Sequence, residues 1–404
     1  MSDLIENARS ASYGIANLSS DEKNKILLIM ASQLERNSSE IIEANLEDRS
    51  HISNLTKAIE DRLMLDEKRI GEMVETINKV ASLPDPLEKE EDWSVTLGLK
   101  IRKVSVPLGV IGVIYENRPN VTIDIASLCI KSGNVCILRG SSTALNTNRA
   151  LLKAIEPAIP EYAVSLIDSE DRKAIDIMLK ARGKLDLLVP RGGTELINYV
   201  AENSRVPVIE TGIGNCHIFV DETADLDMAE KIIINAKCQR PSVCNAAEKL
   251  LVHEKIATKL IPKIVKTLKE KKVELRGCEK TTKLIPDLVL ATEEDWPKEY
   301  LDLIIAIKIV ANIDEAIAHI NKYNSKHTDA IITKNKINME KFSRFVDSAV
   351  IIVNASTRFT DGGEFGFGTE VGISTQKLHA RGPMGAKELT CTKYIVEGSG
   401  QIRG

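Results

Sequence analysis

Long apolar runs, blocks of like charge and a secretion signal are all missing from this 404-residue chain. No stretch reaches the roughly 18 apolar residues of a membrane-spanning helix, and the run at 301–313 carries Asp302 and Lys308. The 58 acidic and 54 basic residues are mixed along the chain, so no block of charge indicates nucleic acid or an anionic membrane as a partner. Residues 1–7 are acidic and lack the apolar core of a signal peptide. We therefore expect a cytoplasmic protein with neither kind of partner.

The chain also lacks the usual marks of disulfide, metal and dinucleotide sites. Its seven cysteines form no CxxC pair, and its six histidines have no metal-binding spacing. An odd cysteine count in so long a chain indicates reduced thiols, and we expect no metal. No strand is followed by G-x-G-x-x-G, and the glycines of 366–372 have the wrong spacing. If a dinucleotide binds, it does so without the standard fingerprint.

What is present is a periodicity typical of an α/β protein. In the first eighty residues apolar side chains recur at helical spacing, and from about residue 106 short apolar runs such as 110–115 and 135–138 alternate with helical patterns. This alternation predicts open parallel sheets covered by helices on both faces. Between these regions, the alternation of Val95, Leu97, Leu99 and Ile101 with polar residues predicts a half-exposed strand that forms an arm.

Two predicted strands end in glycine turns that open helices. Val135 to Leu138 leads into Arg139, Gly140 and Ser142, and a second apolar run leads into Gly192 and Gly193. Free N–H groups and the positive end of a helix dipole make such a turn an anion site, and glycine lets a phosphate approach the backbone. An arginine could add a bidentate grip. The alternative for either turn is ordinary strand-to-helix turn chemistry.

Among the cysteines, Cys244 is the candidate nucleophile. Pro241 breaks the preceding helix, so Cys244 is expected on a loop at the start of a strand, flanked by small and polar residues. A loop thiol can be reached by a substrate, and a lowered pKa would activate it. Cys129 and Cys136 lie within apolar runs and are expected to be core residues. Periodicity alone leaves a structural role open for Cys244 as well.

Taken together, these segments resemble the aldehyde dehydrogenase superfamily, and within it the γ-glutamyl phosphate reductase family. The resemblance covers nearly the whole chain. Superfamily features occur at 115–120, 133–140, 209–212, the Cys244 loop, 314–317 and 321–333. The segments distinctive of the reductases are 325–331, 353–363 and 379–383.

The resemblance implies an aldehyde-dehydrogenase-like fold with two open parallel-sheet α/β domains and a small oligomerisation arm. The cofactor-binding domain would comprise 1–92 and 105–211, the catalytic domain 212–385, and the arm 93–104 with 386–404. The resemblance further implies a homo-oligomer and a functional link to glutamate 5-kinase.

The implied reaction is the second step of proline biosynthesis from glutamate. NADPH would reduce L-glutamyl 5-phosphate, a small-molecule acyl phosphate, to L-glutamate 5-semialdehyde and phosphate through a thioester on Cys244. The side-chain amide of Asn117 and the backbone N–H of Cys244 would stabilise the oxyanion. Arg139 would favour the 2′-phosphate of NADPH over NADH, while Gly192 and Gly193 would lie against the pyrophosphate.

Other implied roles keep their alternatives. Glu210 matches the superfamily glutamate that activates water in hydrolytic members; in a reductase it could instead supply a proton to the collapsing hemithioacetal, or only bond the nearby backbone. His327, Arg358 and Arg381 could bind the carboxylate or phosphate of the substrate, or form structural ion pairs. The superfamily glutamate that holds the nicotinamide ribose falls near Glu299, where the flanking residues depart from the pattern.

Two other functions compete with the acyl phosphate reductase. The first is a hydrolytic NAD(P)-dependent aldehyde dehydrogenase, which would need no phosphate for aldehyde oxidation. The second is a catalytically silent member kept as a binding or scaffold protein, against which the presence of Cys244 and Asn117 argues.

Overall fold

A computed structural model describes residues 2–52, 57–95, 98–169, 171 and 173–403 of the chain. Within them the helices are α1 Ser2–Ile15, α2 Ser20–Arg36, α3 Ser38–Ser50, α4 Lys57–Leu63, α5 Glu67–Ser82, α6 Asn120–Lys131, α7 Leu145–Ile155, α8 Lys173–Leu179, α9 Thr194–Asn203, α10 Leu226–Cys238, α11 Glu254–Glu270, α12 Glu279–Leu284, α13 Ile313–Tyr323 and α14 Lys336–Phe345. The strands are β1 Glu90–Ser94, β2 Lys100–Pro107, β3 Val110–Tyr115, β4 Val135–Arg139, β5 Val164–Leu166, β6 Leu187–Arg191, β7 Cys216–Val220, β8 Ala247–His253, β9 Glu274–Gly277, β10 Val289–Leu290, β11 Ile304–Val310, β12 Thr328–Ile332, β13 Val350–Val353, β14 Ile373–Ser374, β15 Gly382–Pro383 and β16 Thr390–Glu397.

The chain divides into two compact units. The first unit comprises Met1–Thr211, Gly366–Gly372 and Pro383–Gly404, and the second comprises Gly212–Phe365 and Ile373–Gly382. The second unit therefore differs from the predicted segment 212–385 by two short stretches. One of them packs on α5, because a side chain added at Gly368 would come within 2.8 Å of Val80.

The first unit is built on a four-stranded parallel sheet in the order β5-β4-β3-β6. One of its two central strands, β3, is buried along its whole length, as expected of a parallel strand covered on both faces. Helix α5 shows how the surrounding helices pack: Ile70, Met73, Ile77 and Val80 recur at helical spacing and are all buried.

The second unit is built on a seven-stranded parallel sheet in the order β10-β9-β11-β8-β7-β12-β13. Apolar clusters cover both faces: α10 and α11 contribute to one and α13 and α14 to the other. The predicted alternation of strands and helices and the two parallel sheets are confirmed.

The arm differs from its prediction. Instead of one strand across 95–102, β1 ends at Ser94 and β2 begins at Lys100, and the two pair antiparallel as a hairpin. The N–H of Gly98 donates to the carbonyl of Val95 at 2.8 Å, and Gly98 has φ of 75°, a conformation that glycine adopts without strain. The apolar alternation continues through the turn, so the sequence pattern does not reveal the hairpin. Thr96 and Leu97 lie outside the described residues. Strand β16 completes a three-stranded sheet by pairing with β2.

Candidate active site

The candidate anion-binding residues of the first unit gather at one edge of its sheet. Strands β4, β3 and β6 are neighbours and run parallel, so their carboxyl ends meet at the same edge. Asn117 follows β3, Arg139 is the last residue of β4, and Gly192 follows β6. The carboxyl edge of an open parallel sheet is where such folds bind ligands.

Asn117 is held in a defined orientation at this edge. Its φ of 46° lies in the left-handed region, which asparagine tolerates better than most residues. The side-chain Oδ1 accepts hydrogen bonds from Thr143 Oγ1 at 2.7 Å and from Ser141 Oγ at 3.4 Å. Because the carbonyl oxygen is engaged by these hydroxyls, the amide NH₂ is the group that Asn117 can offer to an anion.

The turn after β4 combines an arginine with a glycine in close packing. The Arg139 side chain is largely buried, with 7% of its surface exposed, and Ser142 on the adjoining 3₁₀ turn is exposed. A side chain at Gly140 would come within 2.2 Å of the Asn148 amide and 3.1 Å of the Tyr115 ring. Close packing within the chain is therefore enough to explain why this position is glycine, and a bound phosphate is not needed for the explanation.

The turn after β6 presents the N-terminus of α9. Gly193 is the N-cap residue, and its N–H donates to Glu116 Oε2 at 2.9 Å. A side chain at Gly192 would come within 2.4 Å of the same carboxylate oxygen. The predicted anion site thus holds a carboxylate of the chain itself, which shows that this helix end accepts an anionic oxygen.

In the second unit, Cys244 lies on the loop between α10 and β8 and is half-buried, as expected of a reachable loop thiol. Its carbonyl oxygen accepts a hydrogen bond from the Cys216 thiol at 3.2 Å. On its other side, the Asn245 amide donates to the carbonyl of Thr360 at 2.8 Å. These contacts hold the backbone of Cys244 and Asn245 in place and so help to position the thiol.

Arg358 is the candidate substrate-binding residue with an electrostatic link to Cys244. Its Nε donates to Gln239 Oε1 at 2.8 Å. Burial lowers the pKa of the Arg358 guanidinium, whereas the carboxylate of Asp361 and the thiolate form of Cys244 act to raise it. A cation within electrostatic reach of a thiol favours the thiolate, which is the nucleophilic form.

The other two basic candidates have partners within the chain. His327 is fully buried, with Nδ1 at 2.8 Å from the Thr328 hydroxyl. Arg381 donates from Nη2 to Asp347 Oδ1 at 2.9 Å, and this hydrogen bond is the largest contribution that lowers the pKa of Asp347. The Asp347 contact is the structural ion pair that the alternative predicts for Arg381, whereas the contact of His327 is with a hydroxyl and is not an ion pair.

Two glutamates complete the predicted set. Glu210 lies in the first unit beside Thr211, whose hydroxyl donates to the carbonyl of Pro190 at 2.7 Å. Glu299 lies in the second unit and accepts a hydrogen bond from the N–H of Gly214 at 2.6 Å.

A group of buried charges on and beside strand β8 was missed by the sequence analysis. Lys237 Nζ and Glu248 Oε2 are 3.2 Å apart and fully buried, and Lys249 Nζ donates to the carbonyl of Lys298 at 2.7 Å. Burial raises the pKa of Glu248 to about 7 and lowers the pKa of Lys249 to about 7. The only sequence signal was an adjacent Glu-Lys pair at the start of an apolar run, which periodicity assigns to solvent.

The described residues include neither a candidate membrane-spanning helix nor a cluster of candidate metal ligands. No helix there is long and apolar enough to cross a membrane. In the same part of the chain, no group of three or more histidine, cysteine, aspartate or glutamate residues could hold a metal ion.

Comparison with known proteins gives matches over the full chain. The model of the aldehyde dehydrogenase family matches residues 1–286. The γ-glutamyl phosphate reductase of Caldanaerobacter subterraneus subsp. tengcongensis is 55% identical, with 98% of each chain covered, and that of Carboxydothermus hydrogenoformans is 55% identical, covering 100% of this chain and 99% of the relative. The crystal structure of γ-glutamyl phosphate reductase from Thermotoga maritima superposes with a TM-score of 0.95 at 50% identity, covering 100% of this chain and 99% of the other.

Proposed function

This chain belongs to the aldehyde dehydrogenase family and, within it, to the γ-glutamyl phosphate reductases, and we propose that it reduces L-glutamyl 5-phosphate to L-glutamate 5-semialdehyde with release of phosphate, the second step of proline biosynthesis from glutamate. The observation that carries this proposal is identity of 55% over essentially the whole length of named reductases. Such similarity does not favour the hydrolytic aldehyde dehydrogenase.

The nicotinamide cofactor of this family supplies the hydride when it is bound. We assign NADPH as the preferred form and the first unit as its binding domain. Arg139 at the end of β4 would meet the 2′-phosphate, and the N-terminus of α9 at Gly193 would meet the pyrophosphate. The hydrogen bond from Gly193 to Glu116 supports the second assignment, because this N–H already binds an anionic oxygen.

The second unit is assigned the covalent chemistry. The Cys244 thiolate attacks the acyl carbon, the carbonyl π electrons move to oxygen, and the tetrahedral species collapses with loss of phosphate to a thioester. Phosphate is a good leaving group, so this step needs no strong general acid. We assign the Asn117 amide and the Cys244 N–H to the oxyanion, and Arg358 to one anionic end of the substrate. We assign His327 and Arg381 structural roles, because His327 contacts the Thr328 hydroxyl and Arg381 pairs with Asp347.

The tetrahedral alkoxide left by hydride addition would collapse to the aldehyde as its C–S bond breaks, and the sulfur leaves with that electron pair. We assign Glu210 to donating the proton that the departing sulfur takes up, rather than to activation of water, because hydrolysis of the thioester would waste the acyl phosphate.

We further propose a cytoplasmic homo-oligomer assembled through the arm. Strand β16 lies at the edge of its three-stranded sheet and exposes Tyr394 and Val396. An exposed apolar edge strand is a template for pairing with another chain. A functional link to glutamate 5-kinase follows from the substrate, since a phosphorylating enzyme must supply the acyl phosphate.

The test of this function is the phosphate dependence of the reverse reaction. With glutamate 5-semialdehyde as the substrate, reduction of NADP should require inorganic phosphate, because phosphate must attack the thioester to complete turnover. Equal rates with and without phosphate would indicate the hydrolytic dehydrogenase, and no reduction by the folded protein would indicate the silent scaffold.

A further inference from the structure

Gly214 lies in unusually close contact with the backbone of the nucleophile. A Cβ added at Gly214 would be 1.6 Å from the carbonyl oxygen of Cys244, so no other residue fits unless the backbone moves. The same carbonyl accepts the hydrogen bond from Cys216, two residues further along. The segment of Gly214 and Cys216 therefore supports the Cys244 peptide directly.

Glu299 fixes this segment through its backbone. The Glu299 carboxylate accepts the N–H of Gly214 at 2.6 Å, a charge-assisted bond to a buried glycine. A second link joins the same two segments: the side-chain amide of Asn215, between Gly214 and Cys216, donates to the carbonyl of Trp296 at 2.8 Å. Gly214 and Asn215, which immediately precede β7, are thus both hydrogen-bonded to the segment that carries Glu299.

The segment that carries Glu299 is itself anchored to β8 by buried charges. Lys249 Nζ donates to the carbonyl of Lys298, the residue before Glu299, at 2.7 Å. Leu301, two residues after Glu299, donates its N–H to Glu248 Oε1 at 3.3 Å. Because Glu248 and Lys249 are fully buried on a central strand of the sheet, they give the Glu299 backbone a rigid base.

We propose that Glu299 is a positioning residue for Cys244: its carboxylate holds Gly214 against the Cys244 carbonyl and so fixes the backbone from which the thiol reaches the acyl carbon. The inference deepens the proposed function and rests on it. It differs from holding the nicotinamide ribose, because both partners of the hydrogen bond, Glu299 and Gly214, are residues of the second unit. A misplacement of about 1 Å at a reacting group can lower a rate by roughly a hundredfold.

The test compares Glu299→Ala, Glu299→Gln and a control, Glu294→Ala, which changes a nearby exposed glutamate. The first readout is the rate at which iodoacetamide alkylates Cys244, followed by mass spectrometry of its peptide without substrate or cofactor. The second is the split between kcat and the KM for NADP in the phosphate-dependent assay.

Glu299→Ala should slow the alkylation of Cys244 several-fold and lower kcat by about ten- to a hundredfold, with less than about a twofold change in the KM for NADP. Glu299→Gln should restore both rates to within about threefold of the parent, because its amide oxygen can still accept the Gly214 N–H. Glu294→Ala should match the parent. If Glu299→Ala does not fold, Glu299→Asp takes its place in the test. The aspartate carboxylate is one methylene shorter, so we expect the same slower alkylation and lower kcat as for Glu299→Ala.

An alkylation rate in Glu299→Ala equal to or above that of the parent would overturn the proposal. So would a rise in the KM for NADP in both Glu299→Ala and Glu299→Gln with unchanged alkylation, which would assign Glu299 to the nicotinamide ribose. Because alkylation needs neither substrate nor cofactor, it tests the clamp even if the reductase assay fails.

Discussion

The two parallel sheets of this chain carry their candidate functional groups at opposite edges. In the first sheet, Asn117, Arg139 and Gly192 lie at the carboxyl ends of strands. In the second, Gly214 precedes β7 and Cys244 precedes β8, so both lie at the amino edge. The same kind of parallel sheet covered by helices thus carries candidate anion-binding groups in one unit and the candidate nucleophile in the other.

The difference follows from what each edge offers. At a carboxyl edge the following helix begins with free N–H groups and a positive dipole, so anion binding needs few side chains, and strand β3 can be apolar throughout. At an amino edge no such helix start is available, and a nucleophile must be fixed by other contacts. Strand β8 accordingly carries Glu248 and Lys249 directly after its first residue, and both are buried. Under the proposed roles, the nucleophile at the amino edge depends on buried charges in the adjoining strand, whereas the anion sites at the carboxyl edge combine backbone N–H groups with one buried cation, Arg139.

The largest effect is expected from Cys244→Ala, which removes the group that distinguishes the amino edge. A methyl group cannot form the thioester, so turnover should fall by at least about a thousandfold while the protein stays folded. The measurement is phosphate-dependent reduction of NADP, with circular dichroism as the check of folding. Cys391→Ser, at an exposed thiol of the arm, should keep full activity. Activity of Cys244→Ala near that of the parent would reject the covalent mechanism.

The next effect tests the carboxyl edge with Asn117→Gly. Glycine adopts the φ of 46° without strain, so this variant removes the amide and leaves the turn intact. Loss of one oxyanion donor should lower kcat by about 10²–10³-fold. The KM for NADP should change little. A variant with normal kcat would limit Asn117 to holding Ser141 and Thr143.

Cys244 and Asn117 also show how much of the candidate site can be predicted from the sequence alone. The strand ends at the carboxyl edge follow from periodicity, because apolar runs stop where glycine turns begin. Periodicity leaves a structural role open for Cys244, because a loop thiol has no periodic signature, and only the family resemblance singles it out. The buried Glu248 and Lys249 were missed because a periodicity argument treats charged residues as exposed, and only tertiary packing decides that they are enclosed.

The third prediction concerns Glu210, the candidate proton donor of the first unit. Glu210→Gln cannot transfer a proton, so the phosphate-dependent rate should fall by up to about a hundredfold with cofactor affinity little changed. The measurement is kcat together with the yield of semialdehyde per glutamyl phosphate consumed in the forward direction. An unchanged rate would leave Glu210 a structural residue, and an increased yield would show that it promotes hydrolysis.

The fourth prediction asks whether the carboxyl edge of the first sheet selects the cofactor. Arg139→Leu should weaken NADPH more than NADH by about 1.5–3 kcal/mol, because only NADPH presents a 2′-phosphate to the guanidinium. Separate titrations of the two cofactors measure the difference. Equal losses for both would mean that the largely buried Arg139 side chain serves packing beside Tyr115.

The smallest effect concerns Asp295, which lies in the segment leading to Glu299. Burial acts to raise the pKa of Asp295, but hydrogen bonds from the Thr292 N–H, the Tyr300 hydroxyl and the Arg276 guanidinium together lower it to about 2. Since the ordinary value is 3.8, the ionised carboxylate stabilises the folded state above about pH 4, by about 2 kcal/mol. This stabilisation should be lost as the pH falls from 3.8 through 2.

Asp295→Asn should therefore lower the free energy of unfolding by about 2 kcal/mol at pH 7, and the difference from the parent should shrink to about half by pH 3. Urea unfolding followed by the fluorescence of Trp296, which is buried beside Asp295, measures this in the second unit. Asp227→Asn, at an exposed ion pair, should change the same free energy by less than about 1 kcal/mol. A loss at Asp295 that does not vary with pH would show that packing, and not charge, supports the amino edge of the second sheet.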